Sequence, residues 1–279
     1  MITHVPLARL LNQQTLRKVP EITAFFWIIK LLSTAVGESA SDYLVFHIDP
    51  YIAVALGAVG LVVALVLQLG ARRYVAPLYW LAVVMVGIFG TMAADVLHVA
   101  LGVPYVNSAA FFGVTLAGIF VAWYACEKTL SIHSIFTLRR ELFYWAAVMA
   151  TFALGTATGD LTAATLNLGY LNSGGLFILL FAVPALGYWL RRFNAIFAFW
   201  FAYIMTRPLG ASFADWTGRA PDLGGIGIGT GRISVILAVL IIVFVAYLTV
   251  TRFDVKAESE PTDLASSARG SGEAGPVSG

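Results

Sequence analysis

Ionisable residues set inside apolar stretches are the positions in this chain where chemistry could occur. Lys30, Thr34, Glu38 and Asp42 recur every fourth residue in an otherwise hydrophobic run, a spacing that places them along one face of a helix. A second row reads Tyr203, Arg207, Ala211 and Asp215, and two milder rows read Val83, Gly87, Thr91, Asp95 and Val148, Phe152, Thr156, Asp160. Charge among hydrocarbon is costly, so its default reading is a solute or ion pathway. Lys30, Thr34, Glu38 and Arg207 are therefore candidates for a deep polar site. Asp42, Asp95, Asp160 and Asp215 are candidates for an entrance that attracts cations. The competing reading is an internal ion-pair network that only holds helices together, with the aspartates solvated at the interface or closing turns. His98 follows Asp95 by three residues and His47 follows Asp42 by five. An imidazole beside a carboxylate could hold a divalent cation such as zinc or manganese.

These rows belong to a repeat. Trp27, Trp80, Trp145 and Trp200 are each followed ten residues later by glycine (Gly37, Gly90, Gly155, Gly210) and fifteen residues later by the aspartate. The tryptophans read as packing or interfacial residues. Of the 279 residues, 59% are hydrophobic and 11% are charged, against about 25% charged in an ordinary soluble domain. The apolar residues fall into eight blocks long enough to cross a bilayer: about 20–41, 50–70, 75–97, 107–127, 140–158, 170–190, 194–215 and 232–251. Two spans per unit return the chain to its starting side. The expectation is an all-α polytopic membrane protein of eight helices in four parallel two-helix repeats, about 20–71, 72–130, 138–191 and 192–252. Residues 1–19 form a segment before the first span. Residues 253–279, rich in Ser, Gly and Glu with little to bury, read as a disordered tail.

Pro20 suits the first turn of span one. Counting from it puts Lys30 ~15 Å in, near the midplane, Glu38 ~27 Å and Asp42 ~33 Å along, at the outer boundary. Pro208, following Arg207, is expected to break span seven and free a carbonyl. Ser33, Gly37 and Ser41 form a stripe of small residues that permits close helix approach. Asn107 and Asn172, each twelve residues past a repeat aspartate, read as helix N-caps.

Basic residues gather on one side: Arg17 and Lys18, Arg72 and Arg73, Lys128, Arg139 and Arg140, Arg191 and Arg192, and Arg252. That bias predicts that both termini lie in the cytoplasm. No secretory signal is expected, because the first apolar block is long and contains Lys30 and Glu38. With Cys126 the sole cysteine, no intrachain disulfide or thiol-rich metal site is expected. No metalloprotease, nucleophile-elbow or Walker pattern appears, and the Gly224–Gly231 run follows no strand, so neither an enzyme nor a nucleotide or nucleic-acid partner is indicated. No cofactor is named by the sequence. The expected partners are the lipid bilayer and a small solute or cation, and the leading expectation is a secondary transporter or permease. A sensor or assembly module is the alternative.

The segment Lys18-Val-Pro-Glu-Ile-Thr-Ala-Phe-Phe-Trp27 and its continuation through Lys30, Thr34, Gly37, Glu38 and Asp42 resembles the opening of a bacterial family of uncharacterised membrane-anchored proteins built from a repeat of unknown function. The resemblance runs over residues 17–250. It implies the fold and the repeat count and carries no activity with it.

Overall fold

The computed structural model describes residues 17–255. Most of the expected tail (256–279) and most of the first segment (1–16) lie outside the described residues. Eight long helices follow one another: α1 (Ala24–His47), α2 (Pro50–Gly70), α3 (Ala76–Asp95), α4 (Tyr105–Glu127), α5 (Leu138–Asp160), α6 (Gly169–Trp189), α7 (Ala195–Gly218) and α8 (Thr230–Thr251). No strand occurs among the described residues. Six of the eight, all but α1 and α7, are long and apolar enough to cross a membrane. α1 and α7 are 24 residues each but carry Lys30, Glu38, Asp42, Arg207 and Asp215. The odd-numbered helices are much more buried than the even-numbered ones.

The arrangement is cyclic. The first helices of the four repeats form a ring in which α1 packs on α3, α3 on α5, α5 on α7 and α7 on α1. Each second helix docks chiefly on the first helix of the next repeat: α2 on α3, α4 on α5, α6 on α7, and α8 back on α1. The repeat residues make the same contact at each joint. Trp80 meets Phe26, Trp145 meets Tyr79, Trp200 meets Tyr144 and Trp27 meets Phe199, with ring centroids 5.6–6.2 Å apart. Each tryptophan thus packs on the aromatic that precedes the tryptophan one repeat earlier. The glycines ten residues on each face the next repeat, at the position seven past its tryptophan. Gly37 faces Gly87, Gly90 faces Phe152, Gly155 faces Arg207 and Gly210 faces Thr34. A Cβ on Gly37 would lie 2.8 Å from the Gly87 carbonyl carbon, so glycine is required for that approach of α1 and α3.

Several boundaries differ from the sequence expectation. α1 begins at Ala24 rather than Pro20, because Thr23 caps it by accepting the Phe26 N–H at 3.3 Å. It also runs on to His47. Lys30 is therefore ~9 Å along α1 and Glu38 ~21 Å, with Arg207 ~18 Å along α7, so Glu38 and Arg207 mark the middle and Lys30 sits nearer the basic end. α7 continues through Pro208 without a break. Beside it, the Thr34 hydroxyl donates to the Thr206 carbonyl at 3.1 Å, tying α1 to α7 at this level. Asn107 and Asn172 are not caps. α4 and α6 start two to three residues earlier, after Pro104 and Leu168.

Candidate functional site

The four rows converge on the axis of the ring. Lys30, Thr34, Glu38 and Asp42 are all buried, as are Val83, Thr91, Val148, Phe152, Thr156, Tyr203, Arg207, Ala211 and Asp215. Asp95 and Asp160 are partly exposed. Because the repeats share one direction and register, residues at one repeat position form a layer across the axis.

From the basic end, the first layer is aromatic: Phe26, Tyr79, Tyr144 and Phe199, with the Tyr79 and Tyr144 hydroxyls 2.5 Å apart. Lys30 lies in the next layer. Its Nζ is buried, has no hydrogen-bond partner, and sits 4.0 Å from the Phe152 ring centroid and 4.3 Å from that of Tyr203. Ring faces attract an ammonium, but they do not replace an acceptor. Arg207 enters the layer above. Its Nη2 donates to Glu38 Oε2 at 2.5 Å, Thr91 Oγ1 at 2.5 Å and Thr156 Oγ1 at 2.8 Å. These three acceptors occupy the same position in repeats one to three. The fourth repeat has Ala211 there, too short to reach in. Arg207 Nε and Nη1 have no partner. The guanidinium thus closes the axis, held by one residue from each other repeat.

Beyond this plug the axis opens into a vestibule of about 360 Å³, lined by Glu38, Asp42, Asp95 and Asp160 together with Tyr105, Tyr170 and Arg219. Carboxylate oxygens of Glu38, Asp160 and Asp215 lie within 4.8 Å of one another. Hard oxygen ligands at that spacing suit a divalent cation. Arg219 spans the mouth, donating through Nε to Asp215 Oδ1 at 2.7 Å and through Nη2 to Asp42 Oδ2 at 3.1 Å. Burial works to lower its pKa, yet the Asp215 and Asp42 carboxylates outweigh that and raise it further above its already high value. Four carboxyl groups and one guanidinium line this chamber, so acidic groups predominate.

All eight pathway residues expected from sequence share this axis, with Lys30 separated from the acids by the Arg207 layer. The three-carboxylate group of Glu38, Asp160 and Asp215 does not include the expected His98–Asp95 pair. The His98 ring stacks on Tyr105 at 3.4 Å, and its Nδ1 bonds the Val103 carbonyl at 2.7 Å. His47 is likewise engaged, stacked on Tyr43 and bonded to its carbonyl. The carboxylate cluster that does form draws on repeats one, three and four.

Three elements escaped the sequence reading. Tyr105 and Tyr170 each stand ten residues past a repeat aspartate, a signal present in the echo between the second helices. π-helical turns, Val96–Ala100 and Leu161–Thr165, start immediately after Asp95 and Asp160. They carry α3 and α5 past the acids, so these aspartates lie within helices, not at their ends. Such turns recur at functional sites. At the basic end, Lys18 Nζ donates to Glu141 Oε2 at 2.6 Å, and Gln68 Nε2 donates to Oε1 at 3.1 Å. This buried cluster ties the segment before α1 to α2 and α5, and its members share no repeat position that would have announced it.

No curated protein and no solved structure matches this chain. Four successive copies of the Repeat of Unknown Function (DUF347) match it, at residues 25–74, 78–129, 143–193 and 198–254. These matches follow the four helix pairs to within a few residues at most boundaries. The chain is a member of that repeat family, with all four repeats closing one ring.

Proposed function

We propose that this protein is a secondary transporter or permease for a small cation or cationic solute, lying in the bacterial inner membrane with both termini in the cytoplasm. The observation that carries the reading is the axial stack: an acidic vestibule that ends on the Arg207–Glu38 pair, with the unpaired Lys30 beyond it. A structural network has no need of a buried lysine without an acceptor, whereas a pathway uses ionisable groups that exchange partners.

In this reading a cation entering the vestibule meets Asp42, Asp95, Asp160 and Asp215 first. It then competes with Arg207 for Glu38. Protonation of Glu38 would release Arg207 in the same way, which offers a route to proton coupling. Thr91 and Thr156 hold the guanidinium in place until one of those events occurs. Orientation is supported by Arg72, Arg73, Arg139, Arg140, Arg191, Arg192 and Arg252, which end helices on the side opposite the aspartates. No step makes or breaks a covalent bond, so the reading assigns no enzymatic role and requires no cofactor.

The test is flux in proteoliposomes that enclose a pH-sensitive dye or a divalent-cation dye. Wild-type vesicles should carry protons, Mn²⁺ or a small amine faster than empty ones. Lys30→Ala, Glu38→Ala and Arg207→Ala should abolish that excess while each protein remains monodisperse. Undiminished flux in all three would end the proposal. The second reading, a sensor or assembly module, is favoured by the short Glu38–Arg207 contact alone. It predicts that these substitutions change stability and no flux.

A further inference from the structure

A groove on the flank of the ring lies apart from the vestibule and does not depend on the transport reading. It runs between α3 and α8, where Trp80 and Val84 face Ile241, Val245 and Ala246, and encloses about 610 Å³ with an almost wholly apolar lining. Along α8 it extends from Ala238 to Val250. That is ~18 Å at the helical rise, a little more than one leaflet's share of a hydrocarbon core of about 30 Å.

Two of the four seams carry a covering ring, and this one does not. At the corresponding joints, Trp200 is covered by Phe120 and Trp123 of α4, with centroids 4.9 and 5.8 Å away, and Trp27 by Phe181 of α6 at 5.6 Å. Trp80 meets only aliphatic side chains of α8. The aromatics of that helix, Phe244 and Tyr247, turn to Phe25 instead.

At the basic end the groove shares Pro77 and Thr249 with a second pocket, of about 230 Å³, that includes Arg73 and Arg252. Both arginines are exposed, and among the described residues neither has an ion-pair partner. Asp254 also lines this pocket, but it is buried and accepts the Tyr74 hydroxyl. Burial pushes its carboxyl above the usual range, against the opposing effect of that hydroxyl.

We propose that this groove binds one anionic phospholipid, an acyl chain lying along Trp80 and α8 and the phosphate held by Arg73 and Arg252. Charge complementarity selects this occupant over a second copy of the chain. Every carboxylate described at that end is already engaged within its own chain: Glu21 by Arg17, Glu127 by Arg139 and Arg140, Glu141 by Lys18, and Asp254 by Tyr74. Among the described residues a second copy would offer no carboxylate without a partner side chain, whereas a leaflet surface presents phosphates continuously.

The experiment is native mass spectrometry of the purified chain after incubation with phosphatidylglycerol or with phosphatidylcholine of the same acyl chains. Wild type should retain phosphatidylglycerol at higher occupancy. Arg73→Gln and Arg252→Gln should each lower that affinity about fivefold, the worth of one basic residue at an anionic surface, without affecting phosphatidylcholine. Ala246→Phe should fill the trough and reduce both lipids. Arg191→Gln with Arg192→Gln, a basic pair outside the groove, should change neither. Equal retention of the two lipids by wild type, or wild-type phosphatidylglycerol binding in the double Arg73→Gln, Arg252→Gln variant, would overturn the proposal. So would a dimer that Ala246→Phe turns into a monomer. Should Ala246→Phe not fold, the two surface arginine variants decide.

Discussion

Replacing Glu38 by glutamine tests the plug most directly. Arg207 is fully buried, and its Nη2 reaches one carboxylate and two threonine hydroxyls. Glutamine keeps the shape and an acceptor but removes the only negative charge in contact with the guanidinium. Among the described residues Arg207 then keeps no carboxylate within hydrogen-bond distance. Removing one partner of a buried pair costs about 3–5 kcal/mol. The two threonine bonds, at about 0.6 kcal/mol each in a helical membrane protein, cannot offset that. Arg207→Gln alone should cost a similar amount, because Glu38 then faces Asp160 and Asp215 within 4.8 Å with no cation beside it. The double variant removes both charges and should recover most of the loss, giving a coupling energy above about 2 kcal/mol. Equilibrium unfolding of the four proteins in mixed micelles measures the cycle. Single-variant losses that add within about 0.5 kcal/mol would show that the pair is energetically independent and refute the argument.

Further outcomes follow from the same geometry. Lys30→Met removes a buried amino group that has no acceptor and should raise thermal stability by about 1 kcal/mol or more; a fall in melting temperature would mean that the two ring contacts outweigh the desolvation. Gly37→Leu should destabilise by at least 1–3 kcal/mol, roughly the cost of overpacking, since the obstacle is the Gly87 backbone. Gly118→Leu, at a position on α4 with nothing within 4 Å, should be neutral in the same melt. Asp160→Asn should weaken Mn²⁺ binding by about tenfold or more in equilibrium dialysis, on the scale of losing a ligand-shell group, whereas His98→Ala should leave it unchanged.

The rows of four-residue spacing were legible in sequence because a charged residue cannot face acyl chains, so burial of Lys30, Glu38 and Arg207 followed from composition alone. The repeat count followed from Trp, Gly and Asp at fixed offsets. The order of packing did not. Nothing in a two-span unit tells α2 to leave α1 and settle on α3, because that choice is made by the shapes of facing side chains, such as Gly37 against Gly87. Proline signals misled twice. Pro20 lies outside α1 because Thr23 offers a better cap, and Pro208 is absorbed inside α7 by buried surroundings. The metal expectation followed sequence neighbours, His98 and Asp95, while the carboxylates that meet come from three different repeats. Register across the ring brings them together, and register is a tertiary property.

Cyclic docking has a consequence for how the chain is made. α1 emerges first, yet it carries three charges, and α3, α7 and α8, the helices that shelter it, are all synthesised later. Glu38 gains its guanidinium only when α7 arrives, and the last helix is the one that seals α1 from lipid. Until synthesis is nearly complete, the opening helix must be held by the insertion machinery or lie in the headgroup region, so a chain truncated before α8 should be cleared by quality-control proteases even though most of its hydrophobic length is already in place.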